Sequence, residues 1–102
     1  MSATATGFAA CEKPEKYIQQ LVSHWGHKMA TSYDEGDGMG VFPFSEHTSA
    51  VMTAHQGGIG ITLTTADRAE NERMRGVIET HIDRFAFREA PLTYEWKDTE
   101  EA

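Results

Sequence analysis

The most constraining stretch of the chain is Gly58-Ile59-Gly60-Ile61-Thr62-Leu63-Thr64, in which bulky aliphatic residues occupy every second position. Strand side chains alternate between two faces, so Ile59, Ile61 and Leu63 point one way and the glycines and threonines the other. Such a strand belongs to an antiparallel sheet with one face on a core and the other toward water or a partner. Thr48 to His55 reads as its neighbour, and Gln56-Gly57-Gly58 as a hairpin turn with mirror-type dihedrals. A sheet with one apolar face needs a second layer to cover it.

Two amphipathic helices supply that layer. After Pro14, which suits a first helical position, Tyr17, Ile18, Leu21, Val22, Trp25 and Met29 recur at three- and four-residue steps as one stripe. Asp67, followed three residues later by Glu70, is a cap for a second helix, whose stripe is Met74, Val77, Ile78, His81, Ile82 and Phe85. That helix should end around Phe87 to Glu89, ahead of Pro91. Residues 3–10 alternate as an opening strand. Met29, Thr31 and Tyr33 share a face of another, and Val41-Phe42-Pro43-Phe44 forms the next. Between them Asp34-Glu35-Gly36-Asp37-Gly38 is a hairpin loop, since its ligand spacing departs from a calcium loop by the second position. Leu92, Tyr94 and Trp96 alternate as a last strand before an acidic tail, frayed from about Lys97. The expected fold is α+β, a two-layer sandwich with a mostly antiparallel sheet and both helices on one face. The order is β-α-β-β-β-β-α-β, and the pattern leaves the strand order open.

At 102 residues the chain has one core and one domain, residues 1–102. Nine Lys+Arg against sixteen Asp+Glu give a net charge of −7, which opposes nucleic acid and anionic membrane surfaces alike. No apolar run approaches the roughly 18 residues of a membrane span, and no signal-peptide pattern opens the chain. A soluble, cytoplasmic protein is expected. Cys11 is the only cysteine, so neither an intramolecular disulfide nor a thiolate zinc cluster can form, and it reads as core filler.

Three short motifs stand out: His24-Trp25-Gly26-His27-Lys28, Val41-Phe42-Pro43-Phe44 and His81-Ile82-Asp83-Arg84-Phe85-Ala86-Phe87-Arg88-Glu89. Together they resemble the bacterial domain-of-unknown-function family 2218 over nearly the whole chain. Ser45 and Glu46 stand where that family suggests a glycine. The resemblance implies a short bacterial protein of unassigned activity, linked to iron or siderophore utilisation, with a siderophore-interacting flavin reductase as a partner.

The motif residues permit several chemistries. His24 and His27, at i and i+3, could share a metal ion if His47, His55, His81, Asp34 or Glu35 completed the set. On a helical wheel, His24 lies roughly 100° and His27 roughly 160° from the middle of the stripe, whereas His81 lies within roughly 40° of it and should be largely buried. A core histidine bonded to a backbone carbonyl is the ordinary outcome for His81. Arg84 and Arg88 could clamp a carboxylate or phosphate, although Glu79, Asp83 and Glu89 are near enough in sequence to neutralise them. The aromatics Trp25, Phe42, Phe44, Phe85, Phe87, Tyr94 and Trp96 are read as mostly core.

The leading reading is a non-enzymatic binding or accessory protein with a site made of His24, His27, Lys28, His81, Arg84 and Arg88. Its ligand would be an anionic small molecule, and no cofactor is required. A divalent metal or iron chelate is the alternative. The competing readings are a lyase- or hydrolase-type enzyme with His81 as general base and Lys28 or a bound metal as electrophile, and a structural homodimer meeting through its glycine- and threonine-bearing sheet face or its Pro43-flanked edge. The leading reading needs the ends of the two helices to meet at one end of the sandwich.

Overall fold

The computed structural model describes residues 2–99. Its elements are β1 (Ala3–Ala10), α1 (Pro14–Trp25), β2 (Ser32–Asp34), β3 (Met39–Pro43), β4 (Ser49–His55), β5 (Gly58–Thr65), α2 (Arg68–Phe85) and β6 (Tyr94–Thr99). All six strands form one antiparallel sheet in the order β2-β3-β4-β5-β1-β6. Both helices lie on the same face, α1 over β3 and β4 and α2 over β5 and β1. The α+β sandwich and its element order are as expected, and the strand order now shows that β1 sits between β5 and β6.

The inward positions explain this arrangement. Ile59, Ile61 and Leu63 of β5 are buried with Phe42, Ala50 and Met52 of β3 and β4, beneath Ile18 and Leu21 of α1 and Ile78 and Ile82 of α2. On β1 the inward residues Ala5 and Ala9 are small, which lets α2 approach the sheet. Between them Gly7 leaves space for an aromatic ring: a Cβ there would stand 2.8 Å from Trp96, the β6 residue paired with it. Cys11 is buried, and burial together with the nearby Glu89 carboxylate pushes its thiol up to about 11, as suits an inert packing group.

Several local expectations change. α1 stops at Trp25, short of Met29: Gly26 N–H still bonds the Val22 carbonyl, which the Thr31 hydroxyl joins as a second donor at 2.9 Å, and Lys28 and Met29 N–H both return to the Trp25 carbonyl as the chain tightens into a turn. Met29 and Thr31 therefore lie in the connection, and β2 contains only three residues. α2 begins as expected, with Asp67 accepting from Glu70 N–H at 2.8 Å, but the Glu70 carboxylate turns to Arg73 and does not return to the cap. It ends at Phe85, before the Phe87 to Glu89 limit. In the β4–β5 hairpin only Gly57 has positive φ, +93°, at the second loop position. A mirror-type turn needs positive φ at the first, so the hairpin is of another class. The Asp34 loop is a turn, its carboxylate accepting from Gly36 N–H at 2.8 Å.

The tail read as frayed from Lys97 is ordered strand through Thr99, because Lys97, Asp98 and Thr99 pair with Thr6, Ala5 and Thr4. Residues 100–102 lie outside the described residues. Asp98 also receives Arg75 and Arg68 from α2. Arg75 in turn donates to Oδ1 of Asn71 at 2.8 Å, and the fully buried Asn71 amide donates to the carbonyls of Ala3 and Leu63. One polar side chain thus joins α2 to β1 and β5. Replacing it with the similar-sized Asn71→Leu removes this donor from the carbonyls of Ala3 and Leu63 and this acceptor from the Arg75 Nε, while Asp98 still holds the other end of that guanidinium. We expect a loss of about 2 kcal/mol or more and a melting temperature lower by about 10 °C, measured by circular dichroism. An unchanged melting temperature would show that the network is dispensable.

Candidate functional site

The three motifs singled out in the sequence converge at one end of the sandwich. α1 delivers His24 and Trp25 from its last turn, β3 and the residue after it deliver Phe42 and Phe44, and α2 delivers His81 and Phe85. Trp25 is 5% exposed and lies edge-on to Phe42 and Phe44, with centroids 5.4 and 4.9 Å away. On its other side the His81 ring is 4.6 Å distant. His24 completes the cluster, 5.4 Å from His81 and 5.6 Å from Phe85.

His81 is half-buried rather than largely buried. Its Nδ1 lies 2.7 Å from the Val77 carbonyl, an acceptor only, so this nitrogen carries the hydrogen and donates. In the neutral ring that leaves Nε2 as the acceptor, the arrangement that suits either a structural histidine or one awaiting a ligand.

Basic residues stand near this cluster: Arg84, Lys28 and His27 are close enough to His24 to act on its ring, whereas Arg88 sits beside Glu89, which reaches Glu12 and Tyr17 toward the start of α1. His27 and Lys28 are exposed in the turn after α1, so His27 is no longer a helical neighbour of His24. Arg84 is exposed on the last turn of α2, and Arg88 lies beyond its end with the guanidinium 5.7 Å from the centroid of Phe87. Phe87 itself is 70% exposed, so it leaves the core set to which its aromatic character assigns it. Burial holds the His24 pKa below its ordinary value of 6.5, helped by the positive potential of His81, Arg84, Lys28 and His27.

Among the described residues the expected neutralisation of the arginines does not occur, because Glu79 and Asp83 of α2 and Glu89 in the turn after it are engaged elsewhere. Glu79 accepts from Trp96 Nε1 at 2.7 Å. Asp83 accepts from the Tyr94 hydroxyl at 2.7 Å and from Leu92 N–H. Glu89 accepts from the Tyr17 hydroxyl at 2.6 Å and from Glu12 N–H at 3.0 Å. The Glu89 bond pushes the Tyr17 hydroxyl up to about 12, and burial with Asp83 raises that of Tyr94. Among the described residues the ion pairs involve Arg68, Arg73, Arg75 and His47, and neither Arg84 nor Arg88.

Around His24 the geometry gathers the Arg84 guanidinium, the Lys28 ammonium and two further imidazoles beside an aromatic wall. No group of three or more His, Cys, Asp or Glu side chains is gathered for a metal among the described residues. His47 and His55 are exposed outside the cluster. A separate groove of about 640 Å³ lies at the opposite end of α1, lined by Glu12, Lys13, Lys16 and His55 among others. Phe42 and Phe44 are members of the cluster that their strand pattern alone did not reveal.

The lowered His24 pKa fixes the sign of a pH effect. The unfolded chain takes up a proton near pH 6.5 that the folded chain takes up only at lower pH, so stability falls as pH falls through this window. We expect His24→Phe to flatten the fall of unfolding free energy as pH drops below about 6.5, followed by urea denaturation. Parallel wild-type and variant curves would remove His24 as the cause.

No curated protein matches the chain in sequence. Among solved structures, the NMR structure of PA4090 from Pseudomonas aeruginosa superposes with a TM-score of 0.76 at 23% identity, covering 93% of this chain and 95% of that one. It establishes the shared fold. The model of the family described as "uncharacterized protein conserved in bacteria (DUF2218)" matches residues 6–97. The match spans all three converging motifs and almost every element of the sandwich, and the chain belongs to this DUF2218 family of bacterial proteins.

Proposed function

We propose that the protein is a non-enzymatic binding or accessory module for an anionic ligand, held at the end of the sandwich where α1 and α2 meet. The observation that carries this reading is the engagement of Glu79, Asp83 and Glu89 by Trp96, Tyr94 and Tyr17, which among the described residues leaves Arg84 and Arg88 without carboxylate partners. In a chain of net charge −7, a cluster of uncompensated cations is the feature that most needs a counter-charge. Arg84 and Arg88 supply the forked donors, Lys28 and His27 add positive charge, and His24 and His81 line the aromatic side. The same cations oppose a bare divalent ion, so an anionic metal chelate is the form in which iron would suit this site. Part of the same proposal is the setting that the sequence resemblance led us to expect: cytoplasmic iron or siderophore utilisation beside a flavin reductase.

A second reading rests on His81 alone. With Nδ1 committed to Val77, Nε2 is free to accept a proton, so a lyase- or hydrolase-type reaction with Lys28 as electrophile would have its general base in place.

The test is titration with inorganic phosphate, citrate and ferric citrate, followed by calorimetry and by the histidine ring resonances. We expect at least one anion to bind, more weakly as salt rises. Arg84→Ala combined with Arg88→Ala should weaken it by about tenfold or more. Tighter binding of ferric citrate than of citrate would support the iron setting, and equal binding would count against it. If none of the three binds, or if the double variant binds as well as the wild type, the anion site is wrong.

A further inference from the structure

β6 closes one side of the sheet, and among the described residues no strand lies beyond it. β3, the strand that carries Pro43, is covered by β2 at Met39, Gly40 and Val41, so the long open edge is that of the six-residue β6. The direction of its backbone groups follows from the pairing. Cys11 N–H donates to the Gly57 carbonyl at 3.0 Å, just past the end of the β1 and β5 ladder, and such groups alternate from side to side along an antiparallel strand. Ala9, Gly7 and Ala5 therefore turn their N–H and C=O to β5, and Phe8, Thr6 and Thr4 turn theirs to β6, where they meet Glu95, Lys97 and Thr99. That leaves the backbones of Tyr94, Trp96 and Asp98 pointing outward from the sheet. Side chains divide by the same parity: Trp96 reaches inward to Glu79, while Glu95 and Lys97 are exposed on the face away from the helices.

We propose that this edge pairs with the same edge of a second copy, antiparallel about a two-fold axis at Trp96, so that two six-stranded sheets become one. Register and charge select this occupant together. Opposite residues of an antiparallel pair share a face and a bonding direction, so the axis must pass at a residue and not between two. At Glu95 it would set glutamate against glutamate, at Lys97 lysine against lysine, and at Asp98 aspartate against aspartate. At Tyr94 or Thr99 it would carry most of each strand past the end of the other. At Trp96 it sets Glu95 against Lys97 twice, and the outward-pointing Tyr94, Trp96 and Asp98 all enter hydrogen-bonded pairs. Glu95 and Lys97 then occupy the alternate pairs, where side chains stand closer together. Each indole lies over Gly7 of its own β1, away from the axis, where a Cβ would stand 2.8 Å from the ring. Charges on an open edge normally discourage pairing; these are signed to reject the other registers and admit one. The net charge of −7 opposes self-association, and the interface is small, so the dimer is a weak one.

Sedimentation velocity from about 5 to about 500 µM covers the range of weak association. We expect a reversible equilibrium between monomer and dimer in the wild type. Lys97→Glu sets acid against acid and Glu95→Lys sets lysine against lysine, so each alone should shift the equilibrium toward monomer by about tenfold. Glu95→Lys also lowers the net negative charge, so its loss of dimer runs against the general repulsion and reports the edge itself. The two single variants, mixed, should pair with each other, and Glu95→Lys combined with Lys97→Glu should dimerise as the wild type does. Both positions are exposed, and circular dichroism melts check that the variants fold. A wild type that stays monomeric across the whole range overturns the proposal and leaves the edge to a strand of another protein. A dimer indifferent to both reversals, or one that the double variant does not recover, places the contact elsewhere and overturns it as well.

Discussion

Glu79, Asp83 and Glu89 each accept a hydrogen bond from an aromatic side chain of another element, and the seating of α2 on the sheet and against α1 depends on them. Such bonds to an ionised acceptor contribute about 1.5–3 kcal/mol each, while the rings that donate them remove apolar surface from water. Two of the three exploit a coincidence of periods. Two residues along a strand advance by about 6.6 Å and four along a helix by about 6 Å. Trp96 and Tyr94 on β6 therefore meet Glu79 and Asp83 on α2 in register. Carboxylates held this way cannot also serve arginines, and the free cations at the end of α2 are the other side of the same arrangement.

Periodicity carried most of the fold. The alternation in β5 and the two apolar stripes place the sheet and its cover, and Asp67 and Pro14 mark the helix starts. The strand order was not legible, because β1 pairs with β5 and β6 across more than fifty residues and nothing local encodes that choice. α1 ends at Trp25, where Lys28 and Met29 N–H both return to the Trp25 carbonyl and the Thr31 hydroxyl joins Gly26 N–H on Val22, contacts that no helical wheel contains.

The candidate site was legible as a list but not as a charge balance. His24, His81 and the arginines were visible as motif residues, and their motifs do meet. Sequence proximity, however, suggested that the acids of α2 would neutralise Arg84 and Arg88. Those acids project toward β6 and α1 instead, so side-chain direction decided what spacing could not. Phe87 shows the same limit, since an aromatic just past a helix end has no periodic pattern to say which way it faces. The outcome is a molecule with separated poles. An acidic body carries cations beside an aromatic wall of low polarity, and on the proposed reading such a field would steer small anions toward that end before any contact is made.

The position of β1 between β5 and β6 also governs how the molecule comes into being. β2 to β5 form a meander whose neighbours are close in sequence and can zip together early. The centre of the sheet waits for partners about fifty-five and ninety residues apart to find each other. Closing such distant loops is the slow part of folding, so this protein should resemble all-β domains, on the order of milliseconds to seconds, more than helical bundles. On the ribosome the meander would emerge and wait with β1 in place but its outer flank open. The final strand then acts as the latch that commits the chain, and until it arrives the edge of β1 is a ready template for a stray strand from a neighbouring nascent chain.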